Sequence, residues 1–162
     1  MRPLAITTLL LPLLTLAACT GEDEGAGPLI QKDHPALAVA EEIFDAIGKA
    51  KAGEISMDEG ARRIAPHLSP DLHTDIPKSQ GQSPEVFIDW FDNVLRSELL
   101  AVGDLAHLES HVGSEDLDVI DDPRQFFMDY DLSIDNVLVV YDDLVWVFQE
   151  EDGGWKLRMA VR

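Results

Sequence analysis

The chain has 162 residues, 31 of them acidic and 12 basic, for a formal charge of −19, and it contains one cysteine. Such a balance speaks against nucleic acid as a partner, because binding a phosphate backbone needs a basic face that releases counterions. A single thiol rules out disulfides within the chain and zinc sites built on cysteine pairs, so the 46 % of hydrophobic residues must supply the whole core.

Arg2 precedes a run from Leu4 to Ala18 that is apolar apart from Thr7, Thr8 and Thr15 and is interrupted by Pro12. A membrane-spanning helix needs roughly 20 apolar residues, whereas a basic start, a short apolar core and small residues describe a secretory signal. Leu16-Ala17-Ala18-Cys19 resembles the lipobox of bacterial lipoproteins. The resemblance implies removal of residues 1–18 and attachment of lipid at Cys19, with anchoring in the cell envelope. Thr20, rather than Asp, implies the outer membrane facing the periplasm in a Gram-negative host. An ordinary secreted protein and an uncleaved anchor are the alternatives. Loss of residues 1–18 removes one base, Arg2, and no acid, which takes the formal charge to −20. Residues 19–33 then read as the lipidated cysteine and a flexible acidic tether of "TGEDEGAGPLIQKD", and residues 34–162 as one domain.

Within that domain Pro35 marks a first helical turn after Asp33 or His34. Leu37, Ala40, Phe44 and Ile47 recur at helical spacing as far as Gly53. Ser56-Met57-Asp58-Glu59 forms a capping box for a second helix with Ala61, Ile64 and Leu68 on one stripe, ending near Pro70. Ser83, Pro84 and Glu85 open a third, whose apolar face is Phe87, Trp90, Phe91, Val94 and Leu95.

A strand is expected over Leu105 to Val112; the acidic stretch from Gly113 to Asp135 carries no assignment. The C-terminal part has period 2. Asp152-Gly153 is a favoured type I′ turn, which pairs Phe148 with Leu157, Trp146 with Met159 and Leu144 with Val161. Asp142-Asp143 as the preceding turn pairs Tyr141 with Leu144, Val139 with Trp146 and Val137 with Phe148. The opposite face then gathers Leu138, Val140, Val145, Val147 and Ala160, beside Gln149, Lys156 and Arg158. Apolar residues on both faces mean that both are covered, either by the chain's own elements or by a second subunit or partner.

Helices followed by an antiparallel meander give an α+β class with N-terminal helices packed on a curved sheet. With its closing "VLVVYDDLVWVFQEEDGGWKLRMAVR", the order resembles the nuclear-transport-factor-two-like, or cystatin-like, fold and its small lipoproteins. That resemblance implies a pocket between sheet and helices, dimers through the outer sheet face, and functions that range from isomerases and dehydratases to non-enzymatic binding modules. It supplies no catalytic residue.

On a strand, His107, Glu109 and His111 point to one side and mimic a two-histidine, one-carboxylate metal set, but side chains in line along one strand do not converge on one ion. Asp129 to Asp135 resembles the start of a calcium loop, yet Ile134 stands where glycine is required and Val140 where glutamate is. No cofactor or metal is expected. A pocket in this fold would be lined by His73, Trp90, Tyr141 and Trp146, with His73 as a possible base. The leading expectation is a non-enzymatic, membrane-anchored binding module, dimeric or protein-binding through a sheet face of Leu138, Val140, Val145, Val147, Lys156 and Arg158. The alternatives are a small-molecule pocket protein or isomerase-like enzyme, and an inhibitor or immunity protein that neutralises a basic toxin or envelope enzyme.

Overall fold

The computed structural model describes residues 27–81, 83–91, 97–113, 117 and 119–162. The signal segment, Cys19, Val94 and Leu95 lie outside the described residues. Among the described residues, no helix is long and apolar enough to cross a membrane.

Helix α1 spans Pro35–Lys51 and starts on His34, whose ring Nδ1 accepts a hydrogen bond from the Ala36 N–H at 3.2 Å. It buries Leu37, Ala40, Ile43 and Ile47 along one stripe. Gly53 ends it at φ 72, where the Gly53 N–H reaches the Ala50 carbonyl and the Glu54 N–H reaches that of Lys49. Only glycine takes that left-handed position without strain. Helix α2, Met57–Ile64, begins as its capping box requires, with Ser56 Oγ accepting from the Glu59 N–H at 3.1 Å. It stops earlier than expected. Pro66 has no N–H to continue the ladder, a 3₁₀ turn follows over Ala65–His67, and Leu68–Thr74 becomes strand β1, which the sequence reading placed partly in the helix. Helix α3, Pro84–Trp90, is capped by Ser83.

The remaining strands are β2 (Leu99–Asp104), β3 (Val137–Tyr141), β4 (Val145–Glu151) and β5 (Gly154–Val161). They form one mixed, open sheet in the order β1-β5-β4-β3-β2, antiparallel from β2 to β5 and parallel between β1 and β5. The architecture is α+β, but the sheet is not a pure meander, because β1 returns to its edge.

The β3–β4 register is the expected one, with Val137 opposite Phe148 and Val139 opposite Trp146. In the β4–β5 pair, Asp152 and Gly153 both take positive φ, as a type I′ turn requires, and Phe148 faces Leu157. The next step departs from expectation. Arg158 is an extra residue, so Trp146 faces Ala160 rather than Met159, and Val145 faces Val161. A bulge of one residue flips every later side chain. Ala160 joins the first core cluster, while Met159 and Val161 join the second.

Those two clusters lie on opposite faces of the sheet. Helices α1 to α3 cover the face of Val139, Trp146, Phe148 and Leu157. The other face is covered by α4 (Leu105–Glu109) and α5 (Pro123–Asp129) through Leu108 and Phe127, together with Leu117 and Ile120. Helix α4 stands where a strand was expected. Asp104 ends β2 and caps the helix, its Oδ1 accepting from the His107 N–H at 2.8 Å.

The segment before α1 is also more ordered than a free tether. Ile30 bridges to Val102 of β2, and the Val102 N–H donates to the Leu29 carbonyl at 3.1 Å. Leu29 packs on the second cluster and Ile30 on the first. Two adjacent apolar side chains thus straddle the sheet edge.

Candidate functional site

At the β1 edge the surface opens into a groove of about 910 Å³. One wall is built by β1, Lys78 beyond it, and Arg158 of β5; the other is the turn Asp129–Ser133 that follows α5. The buried Asn136 and Met159 and the half-buried Gln149 line it further in.

The first wall exists because β1 is wide where β5 is bulged. Leu68 pairs with Leu157 and His73 with Met159, so Ser69 to Leu72 span the single residue Arg158. The Arg158 guanidinium donates to the main-chain carbonyl of Asp71 inside that loop. Ser69 Oγ accepts from the Asp71 N–H at 3.2 Å and donates to Glu151 at 2.7 Å. Pro70, having no N–H to pair, suits a loop that leaves the ladder at an edge.

The second wall winds off α5. Tyr130 and Leu132 N–H groups return to the Phe126 and Phe127 carbonyls, and Asp131 takes φ 51. Asn136 fastens the turn: its Oδ1 accepts from the Ser133 N–H at 2.7 Å and its Nδ2 donates to the Phe148 carbonyl at 3.5 Å. Asp129 accepts from the Gln125 side chain at 2.6 Å. No group of three or more metal-ligating side chains forms among the described residues. Tyr130 packs on Phe126 at 4.8 Å and faces His73 with ring centroids 6.3 Å apart.

Of the four residues expected to line one pocket, only His73 is in the groove. Trp146 is 0 % exposed, ringed by Phe44, Phe91, Tyr141 and Phe148, and its Nε1 has no hydrogen-bond partner among the described residues. Tyr141 is buried beside it, and that burial, with the Glu41 charge, pushes its phenol above the ordinary range. Trp90 packs edge-on to Phe91, under the Arg162 guanidinium 4.9 Å from its ring centroid. These aromatics are core, as rings at helical and strand spacing generally are.

The expected interface residues also divide. Leu138, Val140, Val145 and Val147 are buried beneath the chain's own α4 and α5 layer, so the folded domain does not present them. Lys156 and Arg158 are half-buried, with Arg158 in the groove.

His107, Glu109 and His111 leave the strand geometry with α4. Their partners are structural: His107 Nδ1 lies 3.1 Å from Gln31 Nε2, His111 Nε2 lies 2.9 Å from the Gly27 carbonyl, and Glu109 pairs with Arg124. Gly103 makes room for the His107 ring, since a Cβ there would lie 2.4 Å from it.

Sequence reasoning missed Lys78, Tyr130, Asp131 and Gln149 as members of one site. They come from three separate segments, the turn beyond β1, the turn after α5 and β4, and no spacing in the chain relates those segments. No family model, no curated protein and no solved structure matches this chain.

Proposed function

We propose that this chain is a lipid-anchored cell-envelope protein whose domain, of the nuclear-transport-factor-two-like or cystatin-like type, is a non-enzymatic binding module taking a small polar ligand in the groove. One observation carries the reading. The segment that follows Cys19 enters the domain beside β2, and the groove lies at β1, the opposite edge of the sheet. Four strand spacings separate these edges, roughly 19 Å. A lipid at Cys19 would hold the β2 edge toward the bilayer and leave the groove directed to the aqueous side.

The His73 ring makes no hydrogen bond among the described residues and faces Tyr130 with centroids 6.3 Å apart, which leaves its nitrogens available to a ligand in the groove. The groove's size is that of a small-molecule site, and its aromatic, amide and charged groups offer contacts of several kinds.

Two measurements test the reading. Cys19→Ser should abolish incorporation of labelled palmitate and move the protein from the membrane to the soluble fraction; unchanged fractionation would remove the anchor. Native mass spectrometry of protein purified gently from its host should show a retained small mass, lost in the His73→Ala/Tyr130→Ala double variant. A bare mass in both would remove the groove.

A protein partner is the second reading, and it has one specific support. Met128 and Ile134 are 61 % and 63 % exposed on the α5 turn that forms one groove wall. A basic partner would bind with steep salt dependence, given the charge of the chain.

A further inference from the structure

Resting on the groove reading above, the distribution of charge in the groove identifies the ligand class. The wall of β1, Lys78 and Arg158 carries two cations against one carboxylate, Asp71; the facing turn carries the carboxylates of Asp129 and Asp131 and no cation. Of the cations outside the groove, Lys49, Lys51, Arg62, Arg63 and Arg124 are engaged by neighbouring acids, while the side chains of Lys32, Lys156 and Arg162 have no acidic partner among the described residues. The Lys78 side chain has no hydrogen bond or ion pair among the described residues, and the Arg158 guanidinium meets a carbonyl rather than a carboxylate. In a chain this acidic, two cations without acidic partners facing two carboxylates make a dipolar groove.

A simple anion would be repelled by the Asp129–Asp131 wall and by the net charge of the chain. A simple cation would meet Lys78 and Arg158. A molecule carrying both charges a few ångströms apart satisfies both walls, and Leu72, Tyr130 and Met159 leave apolar surface for a side chain between them. We infer that the groove binds a zwitterion of the amino-acid or short-peptide class, its carboxylate toward Lys78 and Arg158 and its ammonium toward Asp129 and Asp131. Charge-assisted hydrogen bonds at each end supply the selectivity.

The test is calorimetric titration of the full chain with alanyl-leucine, its N-acetyl form, its C-terminal amide, and the doubly blocked form. The free dipeptide is expected to bind, and each block to weaken it on the order of tenfold. Lys78→Met should reproduce the effect of the amide and be indifferent to it. Asp131→Asn, which tolerates the left-handed backbone at that position, should do the same for the acetyl form. Equal binding of free and doubly blocked dipeptides would overturn the charge assignment while leaving the groove as a binding site. Tighter binding of either singly blocked form would replace the zwitterion by a plain cation or anion. No saturation by the free dipeptide up to about 10 mM would also overturn the inference, and the native-mass measurement would then decide whether the groove reading falls with it.

Discussion

Arg158 holds the carbonyl of Asp71 across the widened β1 edge, and it can do so because it is the one residue of β5 that pairs with neither neighbour in register. The bulge places its guanidinium beside a loop of β1 that lacks a ladder of its own. Arg158→Met should therefore cost about 1.5–3 kcal/mol, the worth of a hydrogen bond to a charged group. Urea midpoints would measure this, and hydrogen exchange should quicken at Leu72 and His73 before the rest of the sheet.

Val145 is 3 % exposed beneath the second helical layer. Val145→Glu buries a carboxylate among Leu138, Val147 and Phe127 side chains and should destabilise by more than about 4 kcal/mol. The expected readout is loss of the folded near-ultraviolet signal. A folded variant that merely changed oligomeric state would restore the sheet face as an interface.

Trp146 carries an N–H with no partner among the described residues, in a ring of aromatic side chains. An orphaned buried donor costs about 1–3 kcal/mol, so Trp146→Phe trades that cost against lost packing and should change stability by less than about 1.5 kcal/mol. Trp146→Ala, which leaves a cavity, should cost about 3–5 kcal/mol. Equal losses in the two variants, measured by guanidinium unfolding, would show that the indole N–H has a partner.

His34 caps α1 through a ring nitrogen that must be unprotonated to accept from Ala36. Burial lowers its pKa from the ordinary 6.5, partly opposed by the Asp104 charge. With the folded value below the unfolded one, the unfolded chain binds the proton first as pH falls. Stability from this residue is complete above pH 6.5 and declines as pH drops through the folded value. His34→Asn keeps a side-chain acceptor at the cap and should flatten the difference between urea midpoints at pH 7.5 and pH 5.

Gly60 sits where α2 meets α1 and α3: a Cβ there would lie 2.9 Å from Ala50 Cβ and 3.1 Å from Ile88 Cδ1. Gly60→Ala gains up to about 1 kcal/mol of helix propensity but forces two helices apart, and overpacking costs about 1–3 kcal/mol. A net loss in thermal unfolding is expected.

Much of this domain is written locally. The caps at His34, Ser56 and Ser83, the glycine stop at Gly53, the type I′ turn at Asp152-Gly153 and the apolar alternation of Val137 to Phe148 are each decided by residues within a few positions of one another. Backbone stereochemistry and hydrogen bonding act over that range, so sequence alone determined these elements, the α+β class and the demand that both sheet faces be covered. What the chain could not declare is set by distant pairing. Whether Leu68–Thr74 extends a helix or joins the sheet depends on the open edge of β5. Whether Leu105 begins a strand or a helix depends on what remains to cover the face of Leu138 and Val140. The bulge at Arg158 arises where three strands meet, and it decides which of the two sheet faces Met159 and Ala160 each take. The groove inherits this: its walls come from β1, β5 and the α5 turn, and only the tertiary structure brings Lys78, Arg158 and Asp131 to one place, because long-range burial rather than local propensity fixes where those segments end.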